Sequence, residues 1–306
     1  MSNELPKQKP PFAPFIMTFP KIGVGKKMRK DWSTPVGIII GMILILVSIY
    51  FAGGTSGVLG FFSLPSFAIV VGGIFATIFV DFGWKEMKNC LSVIRQTYYR
   101  KEVDLQELIE FFVLLLRQSK EKGVILGLEE GKNRIQDAFI RKGIDLVMDG
   151  VPSRRIKEIL EIEIQALKSR HFRGYTLISK AGEVAPAWGM VGTIIGLVLM
   201  LQQLNDPEKL GPGIALALIT TFYGVILANL ILIPIANKLL RLSEDEILMK
   251  TIVTEAVISI RKNESVLVLR QKLEAFITQE TINQLKELET RYDDRAKHEA
   301  KQGISG

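Results

Sequence analysis

Cysteine and histidine are scarce in this sequence of 306 residues, which contains one cysteine, Cys90, and two histidines, His171 and His298. A single cysteine excludes an internal disulfide and a cysteine-based metal cluster. The histidines lie far apart in the sequence, and there is no HExxH motif or P-loop, so no enzyme signature is present. His171 follows Lys168 and Arg170 in a charged run, which predicts a solvated surface residue. We therefore expect a protein that is not an enzyme and needs no cofactor.

Charged side chains are absent from three long segments, residues 34–80, 184–204 and 210–236. About 20 apolar residues in a helix cross a bilayer, so each segment is long enough to span it. The first segment is long enough for two passes, and the glycine-rich run 53–57 is predicted to divide it. The sequence therefore predicts four membrane-spanning helices, near residues 36–52, 62–80, 184–203 and 212–236.

The distribution of basic residues predicts the topology. Lysine and arginine lie almost entirely before the first span, between the second and third spans, and after the fourth. Positively charged loops stay on the cytoplasmic side of a membrane. We therefore predict a multi-pass protein of the cytoplasmic membrane with both termini in the cytoplasm, and read the net charge of +7 as a topology signal rather than a nucleic-acid one.

The segments outside the spans have helical periodicity, and no strand-like alternation is evident. Asp104 and Glu107 have the spacing of a capping box at the start of a helix. A second helix is predicted from about Leu128 to Val147, ended by the turn 149–152. The next helix is predicted to begin with a Ser153 cap and to continue into the third span as one rod.

These patterns predict an all-α membrane protein with six segments. The predicted segments are an N-terminal basic arm (1–33), a transmembrane hairpin (34–82), a helical domain (83–182), a second transmembrane hairpin (183–237), a further helical region (238–277) and a polar tail (278–306).

The spans contain no ionisable side chain except tyrosine. Membrane proteins that move protons or sodium normally use a buried carboxylate or histidine, so another chain would have to supply one. The alternative is that the chain only anchors its soluble helices. The hydroxyls of Thr193, Thr220 and Thr221 could coordinate a partly dehydrated cation. They could equally be bonded to carbonyl groups of their own helices, and the residues alone leave both roles open.

Glycine and proline also have two interpretations. The pairs Gly37–Gly41 and Gly192–Gly196 have the GxxxG spacing that allows helices to pack closely. Pro186 and Pro234 each lie near the cytoplasmic end of a predicted span, where a proline can form a hinge or only a static kink. Thr77, in the second span, is expected to lie on the outer, lipid-facing side.

Four stretches of the sequence together resemble the MotA/PomA family of flagellar stator subunits, which are relatives of TolQ and ExbB. They are SIYFAGG (48–54), PSFAIVVGG (65–73), KGIDLVMDG (142–150) and a long stretch that begins with GEVAPAWGMVGT (182–193) and ends with PIA (234–236). The matches cover residues 34–277 in order. The resemblance implies a ring of five copies around two copies of a MotB/PomB-type partner, whose single membrane helix carries the ion-binding Asp.

The resemblance also implies roles for particular residues. Pro186 and Pro234 match the family's functional prolines, and Thr193 with Thr220 or Thr221 matches positions linked to the ion path. Contact with the rotor protein FliG is expected from exposed charges in the loop after span two. These are Lys120, Glu121, Lys122 and Glu129, although Glu121 stands where relatives often have arginine.

Three alternatives remain open in the sequence. A TolQ/ExbB-type energiser usually has three spans, so the hairpin of spans one and two favours the flagellar branch. A stator-like motor of another process or a non-conducting scaffold is also compatible with the composition. The threonines favour sodium as the transported ion, but some proton-driven relatives share them. The basic arm is interpreted as a topology anchor, and contact of its basic patch with anionic membrane lipid is the alternative.

Overall fold

The computed structural model describes residues 28–96, 99–101, 104–132, 135–207 and 210–277. Most of the predicted basic arm and all of the polar tail lie outside these ranges. The elements, in chain order, are β1 (Met28–Lys30), α1 (Ser33–Gly60), α2 (Leu64–Gln96), β2 (Tyr99–Lys101), α3 (Leu105–Lys122), α4 (Val124–Lys132), α5 (Ala138–Met148), α6 (Ser153–Leu201), α7 (Leu210–Ile226), a π-helical segment (Leu227–Leu232), α8 (Ile233–Arg261) and α9 (Val266–Glu274).

Four of these helices are long and apolar enough to cross a membrane, namely Ser33–Gly60, Leu64–Trp84, Ser153–Leu201 and the continuous stretch Leu210–Arg261. Helix α1 has no buried residue, and large apolar side chains such as Leu44 are more than half exposed. A helix that is apolar on all sides and uncovered by protein is suited to lipid. This confirms the predicted number and approximate position of the spans.

The glycine-rich run 53–57 does not end the first span. Helix α1 continues to Gly60, with a kink at Gly54, where φ is +64°. Glycine tolerates positive φ, so the chain bends here without leaving the helix. The turn between the first two spans is formed by residues 61–63 instead, which corrects the predicted boundary.

The chain forms two compact units. The span unit comprises residues 25–103 and 157–254, and the described part of the bundle unit comprises residues 104–156 and 255–277. The predicted helical domain 83–182 is therefore divided between them. The span unit also contains one short element that the sequence did not indicate: β1 pairs with β2 in an antiparallel ladder, Met28 opposite Lys101. Three-residue strands are too short to give a detectable alternation.

The core of the span unit is formed by α2, α6, the π-helical segment and α8. Its buried side chains are Val70, Ile74, Ile78, Leu177, Ile178, Ala181, Ala185, Ala228, Ile235, Ala236 and Leu239. The predicted continuous rod is confirmed, because α6 runs without interruption from Ser153 to Leu201. A single helix therefore joins polar sequence to a membrane span.

The bundle unit packs α3, α4, α5 and α9 with the end of α8. Asp104 caps α3 by accepting hydrogen bonds from the backbone N–H groups of Gln106 and Glu107, as its position predicts. The predicted helix 128–147 is wrong, because α4 ends at Lys132 and α5 begins at Ala138. The Asp137 carboxylate accepts from the Phe139 and Ile140 N–H groups, at 2.9 and 3.1 Å, and so starts a new helix.

Candidate functional site

Small residues line the contact between α6 and α7. Four on each helix recur at steps of four, three and four residues, namely Ala185, Gly189, Gly192 and Gly196 on α6 and Gly213, Ala217, Thr220 and Gly224 on α7. A Cβ atom added to Gly196 would lie 2.5 Å from the Gly213 carbonyl oxygen, and one added to Gly224 would lie 2.6 Å from the Ala185 carbonyl oxygen. The helix backbones therefore approach as closely as glycine allows, which confirms the packing role of Gly192 and Gly196.

Thr220 lies inside this contact. It is 0% exposed, and its hydroxyl donates to the Leu216 and Ala217 carbonyl oxygens at 2.9 Å each. A Cβ atom added to Gly192 would overlap the Thr220 side chain. Because Thr220 is enclosed by α6 and bonded within its own helix, its surroundings in one chain favour packing over cation coordination.

Thr193 and Thr221 are only half-buried. The Thr193 hydroxyl donates to the Met190 carbonyl oxygen, and the Thr221 hydroxyl donates to the Ala217 carbonyl oxygen at 3.4 Å. A hydroxyl that donates one hydrogen bond keeps its lone pairs for a cation or another donor. A Cβ atom added to Gly189, one turn before Thr193, would lie 3.1 Å from the Thr221 Cα atom. Because Thr221 lies beside Gly189 and Thr193 follows on α6, the two threonines lie about one helical turn apart along the helix pair.

The turns that carry the two prolines lie side by side. Gly182 precedes Pro186 by four residues, and a Cβ atom added to it would lie 2.9 Å from the side chain of Ile233, the residue before Pro234. Pro186 lies within continuous α6, and Pro234 follows the π-helical segment. Both prolines lack the N–H that a helix uses for its i−4 bond, so both helices are weakened at one level. The sequence indicated this matching depth, and a hinge at this level remains a hypothesis.

Thr77 and Trp188 form a contact that sequence reasoning missed. The Trp188 indole N–H donates to the Thr77 hydroxyl at 2.9 Å, and that hydroxyl donates to the Gly73 carbonyl oxygen at 3.0 Å. The indole also occupies the space of a Cβ at Gly73. Thr77 is therefore half-buried between α2 and α6, and its predicted lipid-facing position is wrong. The sequence does not show that Gly73 leaves room for the Trp188 indole, because this requires knowing that α2 packs against α6.

Tyr223 holds the turn between the first two spans. Its hydroxyl donates to the Phe61 carbonyl oxygen and accepts from the Ser63 N–H, which is 3.2 Å away. The Phe222 ring packs edge-on against Phe61, with ring centroids 4.9 Å apart. The aromatic pair at 222–223 on α7 therefore fixes the α1–α2 turn against the fourth span.

The predicted rotor-contact charges lie around the turn between α3 and α4. Lys120, Glu121 and Lys122 form the end of α3, Glu129 lies on α4, and all four are exposed. Gly123 makes the turn between these helices with φ of +89°, which favours glycine. The chain thus presents acidic and basic side chains of both helices on the surface of the bundle unit.

His171 is not the solvated residue that the sequence predicted. It is half-buried between α6 and α8, with Nδ1 3.1 Å from the Ser243 hydroxyl and Nε2 4.0 Å from the Glu246 carboxylate. Burial lowers the pKa of His171, and the charges of Arg170 and Lys250 lower it further, whereas Glu246 raises it. The run of charges in the sequence lies on a helix whose other side packs against α8.

In the described ranges, no group of three or more histidine, cysteine or acidic side chains could hold a metal ion. The four apolar helices of the span unit carry hydroxyl groups at the α6–α7 contact, and the charge-free sequence of the spans provides no carboxylate there.

Comparisons with known proteins agree with this architecture. Residues 131–251 match the model of the MotA/TolQ/ExbB proton channel family. The chain is 41% identical over 252 residues to the uncharacterized protein YtxD of Bacillus subtilis, covering 82% of this chain and 92% of YtxD. It is 37% identical over 244 residues to motility protein A of Aquifex aeolicus, covering 79% and 94% of the two chains.

A solved structure shows the same fold. The flagellar MotAB stator complex from Bacillus subtilis contains a chain that is 26% identical, with a TM-score of 0.75, and the match covers 84% of this chain and 99% of that one. The four apolar helices and these relatives make the protein a multi-pass membrane protein. The chain belongs to the MotA/PomA family of flagellar stator subunits, within the MotA/TolQ/ExbB proton channel family.

Proposed function

We propose that this chain is the A subunit of a flagellar stator, which forms a cation channel with a MotB/PomB-type partner and converts ion flow into torque on the rotor protein FliG. The observation that carries the proposal is which polar groups the spans contain and which they lack. The spans supply hydroxyl groups at Thr193 and Thr221 but no carboxylate, so the titrating group of the channel has to come from another chain. The MotAB complex from Bacillus subtilis supports a partner of this kind.

In the assembled stator, five copies of this chain surround two partner helices. The half-buried hydroxyls of Thr193 and Thr221 face the partner's Asp and replace part of the hydration shell of the passing cation. Thr220 holds α7 against α6 through its contact with Gly192. Sodium is the favoured ion, because threonine at 193, 220 and 221 resembles the pattern of sodium-driven members of the family, and the proton is the alternative.

Torque passes from the spans to the rotor through continuous helices. Helices α6 and α8 extend from the level of Pro186 and Pro234 away from the membrane, so a bend at the prolines moves the ends of both helices. The exposed charges at Lys120, Glu121, Lys122 and Glu129 contact FliG on the cytoplasmic side. The membrane is the bacterial inner membrane, and both termini lie in the cytoplasm.

Two other functions are tested by the same experiment. A TolQ/ExbB-type energiser would serve a different envelope process, and a non-conducting scaffold would move no ions. The chain and its partner are expressed in a flagellated strain whose own stator genes are deleted, and swimming speed is measured against external sodium with and without a protonophore. Speed that rises with sodium and survives the protonophore supports a sodium-driven stator. Complete failure to swim with both chains present in the membrane would favour the two alternatives.

A further inference from the structure

Helix α1 is held mainly at its two ends. It is 28 residues long and has no buried residue. Along its length the contacts are apolar, since Ile38 packs at the edge of the span-unit core and a Cβ atom added to Gly41 would lie 2.6 Å from the Leu230 side chain. Lipid tails are as apolar as these side chains and replace such contacts at little cost. The position of α1 therefore depends on how its ends are fastened.

A buried ion pair fastens the start of α1 to α8. Lys238 Nζ lies 2.8 Å from Asp31 Oδ2, and it donates to the Thr34 hydroxyl at 2.6 Å and to the Ser33 hydroxyl at 3.4 Å. These three partners use all three N–H donors of the ammonium group, and Lys238 is only 8% exposed. Hydrogen bonds from Lys238 and Ser33 hold the pKa of Asp31 well below its usual range, so the pair is charged at neutral pH. Opening the pair would leave a buried ammonium group without its counter-ion, which is costly.

Tyr223 fastens the other end of α1. Its hydroxyl bonds to residues 61 and 63, in the turn that directly follows the helix. In the chain, Tyr223 precedes Pro234, and Lys238 follows Pro234 by about one helical turn. Helix α1 is thus fastened on both sides of the proline. Between the two fastenings it packs against Leu230, in the π-helical segment directly before the proline.

The space beside Pro234 is open. A cavity of about 630 Å³ lies between α1 and α8, and its lining includes Pro234, Leu230, Gly37 and both members of the ion pair. Proline removes one helix hydrogen bond, and the segment before it is already irregular, so the helix bends most easily here. No side chain of the described residues fills the cavity, so packing does not restrain a bend on this side. The restraint that remains there is α1 with its two fastenings.

We propose that α1 is a strut that limits bending at Pro234, with the Asp31–Lys238 pair as its fastening to α8. This role rests on the proposed function, in which a bend at the prolines transmits torque. With both ends fastened, α1 keeps Tyr223 and Lys238 at a nearly fixed separation, so the part of α8 beyond Pro234 moves only as far as α1 follows. Lys238 contacts neither the cation nor the rotor and is a positioning residue that acts through Pro234.

Hydrogen–deuterium exchange, followed by mass spectrometry of the purified complex of chain and partner, measures backbone opening at Pro234. The double variant Asp31→Asn/Lys238→Met removes the fastening and leaves no unpaired charge, so folding is expected to survive. We expect its backbone amides over residues 227–242 to exchange faster than in wild type. Exchange around Pro186 on α6 should be unchanged, because α1 is not fastened there.

Two further variants and two functional readouts complete the test. Lys238→Arg keeps a cation beside Asp31 and should exchange like wild type. Lys157→Met/Glu161→Gln removes an exposed ion pair within α6 and should also exchange like wild type. Torque is measured on tethered cells and ion flux in proteoliposomes of the complex. The double variant at 31 and 238 should lose torque with its flux unchanged, and Lys238→Arg should keep both.

The outcomes separate the strut from the proposed function. Unchanged exchange over 227–242 in the double variant, an equal rise around Pro186, unchanged torque, or an equal loss of torque and flux would each overturn the strut. A wild-type complex that neither conducts ions nor turns the rotor would instead refute the proposed function. The exchange rates would then still decide whether α1 limits bending at Pro234.

Discussion

Thr193 is the residue at which the two possible roles of the membrane threonines, cation coordination and hydrogen bonding within their own helix, can be separated. Its hydroxyl donates to Met190 in its own helix, yet the side chain is half exposed, so its lone pairs are accessible to another chain. Valine keeps the shape and removes the oxygen. Membrane hydrogen bonds average about 0.6 kcal/mol, so Thr193→Val should still fold and assemble. We expect weak motility and a changed dependence on sodium, because a cation in a dry site pays for each ligand that it fails to regain.

The matched control is Thr176→Val, on the same helix but outside the predicted span. The Thr176 hydroxyl donates to the Phe172 carbonyl oxygen at 2.8 Å, so this variant loses the same kind of bond. Its swimming speed should equal that of wild type at every sodium concentration. Unchanged ion dependence in Thr193→Val would leave Thr193 as a packing residue.

His171 predicts how the stability of the protein changes with pH. Burial lowers its folded-state pKa, whereas in the unfolded chain it takes up a proton near pH 6.5. Between these two values only the unfolded state binds the proton, so acidification favours unfolding. The contribution is fully present above about pH 6.5 and is lost as the pH falls below it. We expect the thermal midpoint of the purified protein to fall less between pH 7.5 and 5.5 in His171→Gln than in wild type. Parallel curves would show that His171 is protonated equally in both states.

The residues that sequence analysis placed wrongly share one cause. Thr77 and His171 each lie on a helix whose neighbours in sequence suggested the environment, lipid for one and water for the other. Their surroundings are set instead by side chains 111 and 72 positions away, Trp188 and Ser243. Hydropathy and runs of charge describe the average environment of a whole segment. Which residues of a helix are buried depends on which other helix packs against it, and the sequence pattern does not show that. Thr193 and the two prolines were singled out by the resemblance over 34–277, and their roles stay predictions.

At the level of helices, the α6–α7 contact depends on glycine at specific positions. Alanine at Gly196 would place a methyl group 2.5 Å from the Gly213 carbonyl oxygen, with backbone rather than a flexible side chain in the way. The helices would have to separate, and overpacking of this kind costs about 1–3 kcal/mol. We expect Gly196→Ala to lower the thermal midpoint of the purified protein. Gly37→Ala is the control, since no atom lies within 4 Å of the added methyl group. Equal midpoints in the two variants would mean that α6 and α7 are not packed this closely.

Helices were predictable where one signal dominated. Long charge-free segments identified all four spans, and apolar periodicity that persists past Gly182 identified the single rod of α6. The predicted helix boundaries were wrong at two places, residues 53–57 and 128–147. The glycines at 53–57 bend α1 without ending it, and Asp137 starts a new helix inside what the periodicity of 128–147 indicated as one. The backbone conformation of one glycine decided the first case, and the hydrogen bonds of one aspartate decided the second.

The exposed charges at the α3–α4 turn are proposed to contact FliG. Exposed ion pairs contribute only about 0–1 kcal/mol, so Lys122→Glu and Glu129→Lys should leave folding and assembly unchanged. We expect each reversal to reduce torque, measured from the rotation of tethered cells, and a matched reversal on the rotor to restore it in part. Arg155→Glu reverses an exposed charge elsewhere in the same unit and should have no effect. Normal torque in both reversals would move the contact to other residues, with Glu121 and Arg134 the next candidates, of which Arg134 lies outside the described residues.

In the proposed function the two units, which share the chain of α6 and α8, have different roles. The span unit holds the threonines, the small-residue contact and the prolines, and the bundle unit presents the charged turn. The prediction of one domain over 83–182 did not show that these residues belong to two units. Helix α6 is continuous, so its sequence does not show where it passes from one unit to the other. The spans of the chain contain no carboxylate, so the central claim is that ion conduction belongs to the complex and not to this chain.

Ion flux into proteoliposomes tests that claim most directly. Purified chain, purified partner and the complex of both are reconstituted at equal protein density, and sodium and proton uptake are followed under an imposed membrane potential. We expect tight vesicles with this chain alone and a flux above that background with the complex. The flux of the complex should be lost when the Asp of the partner's membrane helix is replaced by Asn. Robust, ion-selective flux with this chain alone would contradict the division of labour between the two subunits.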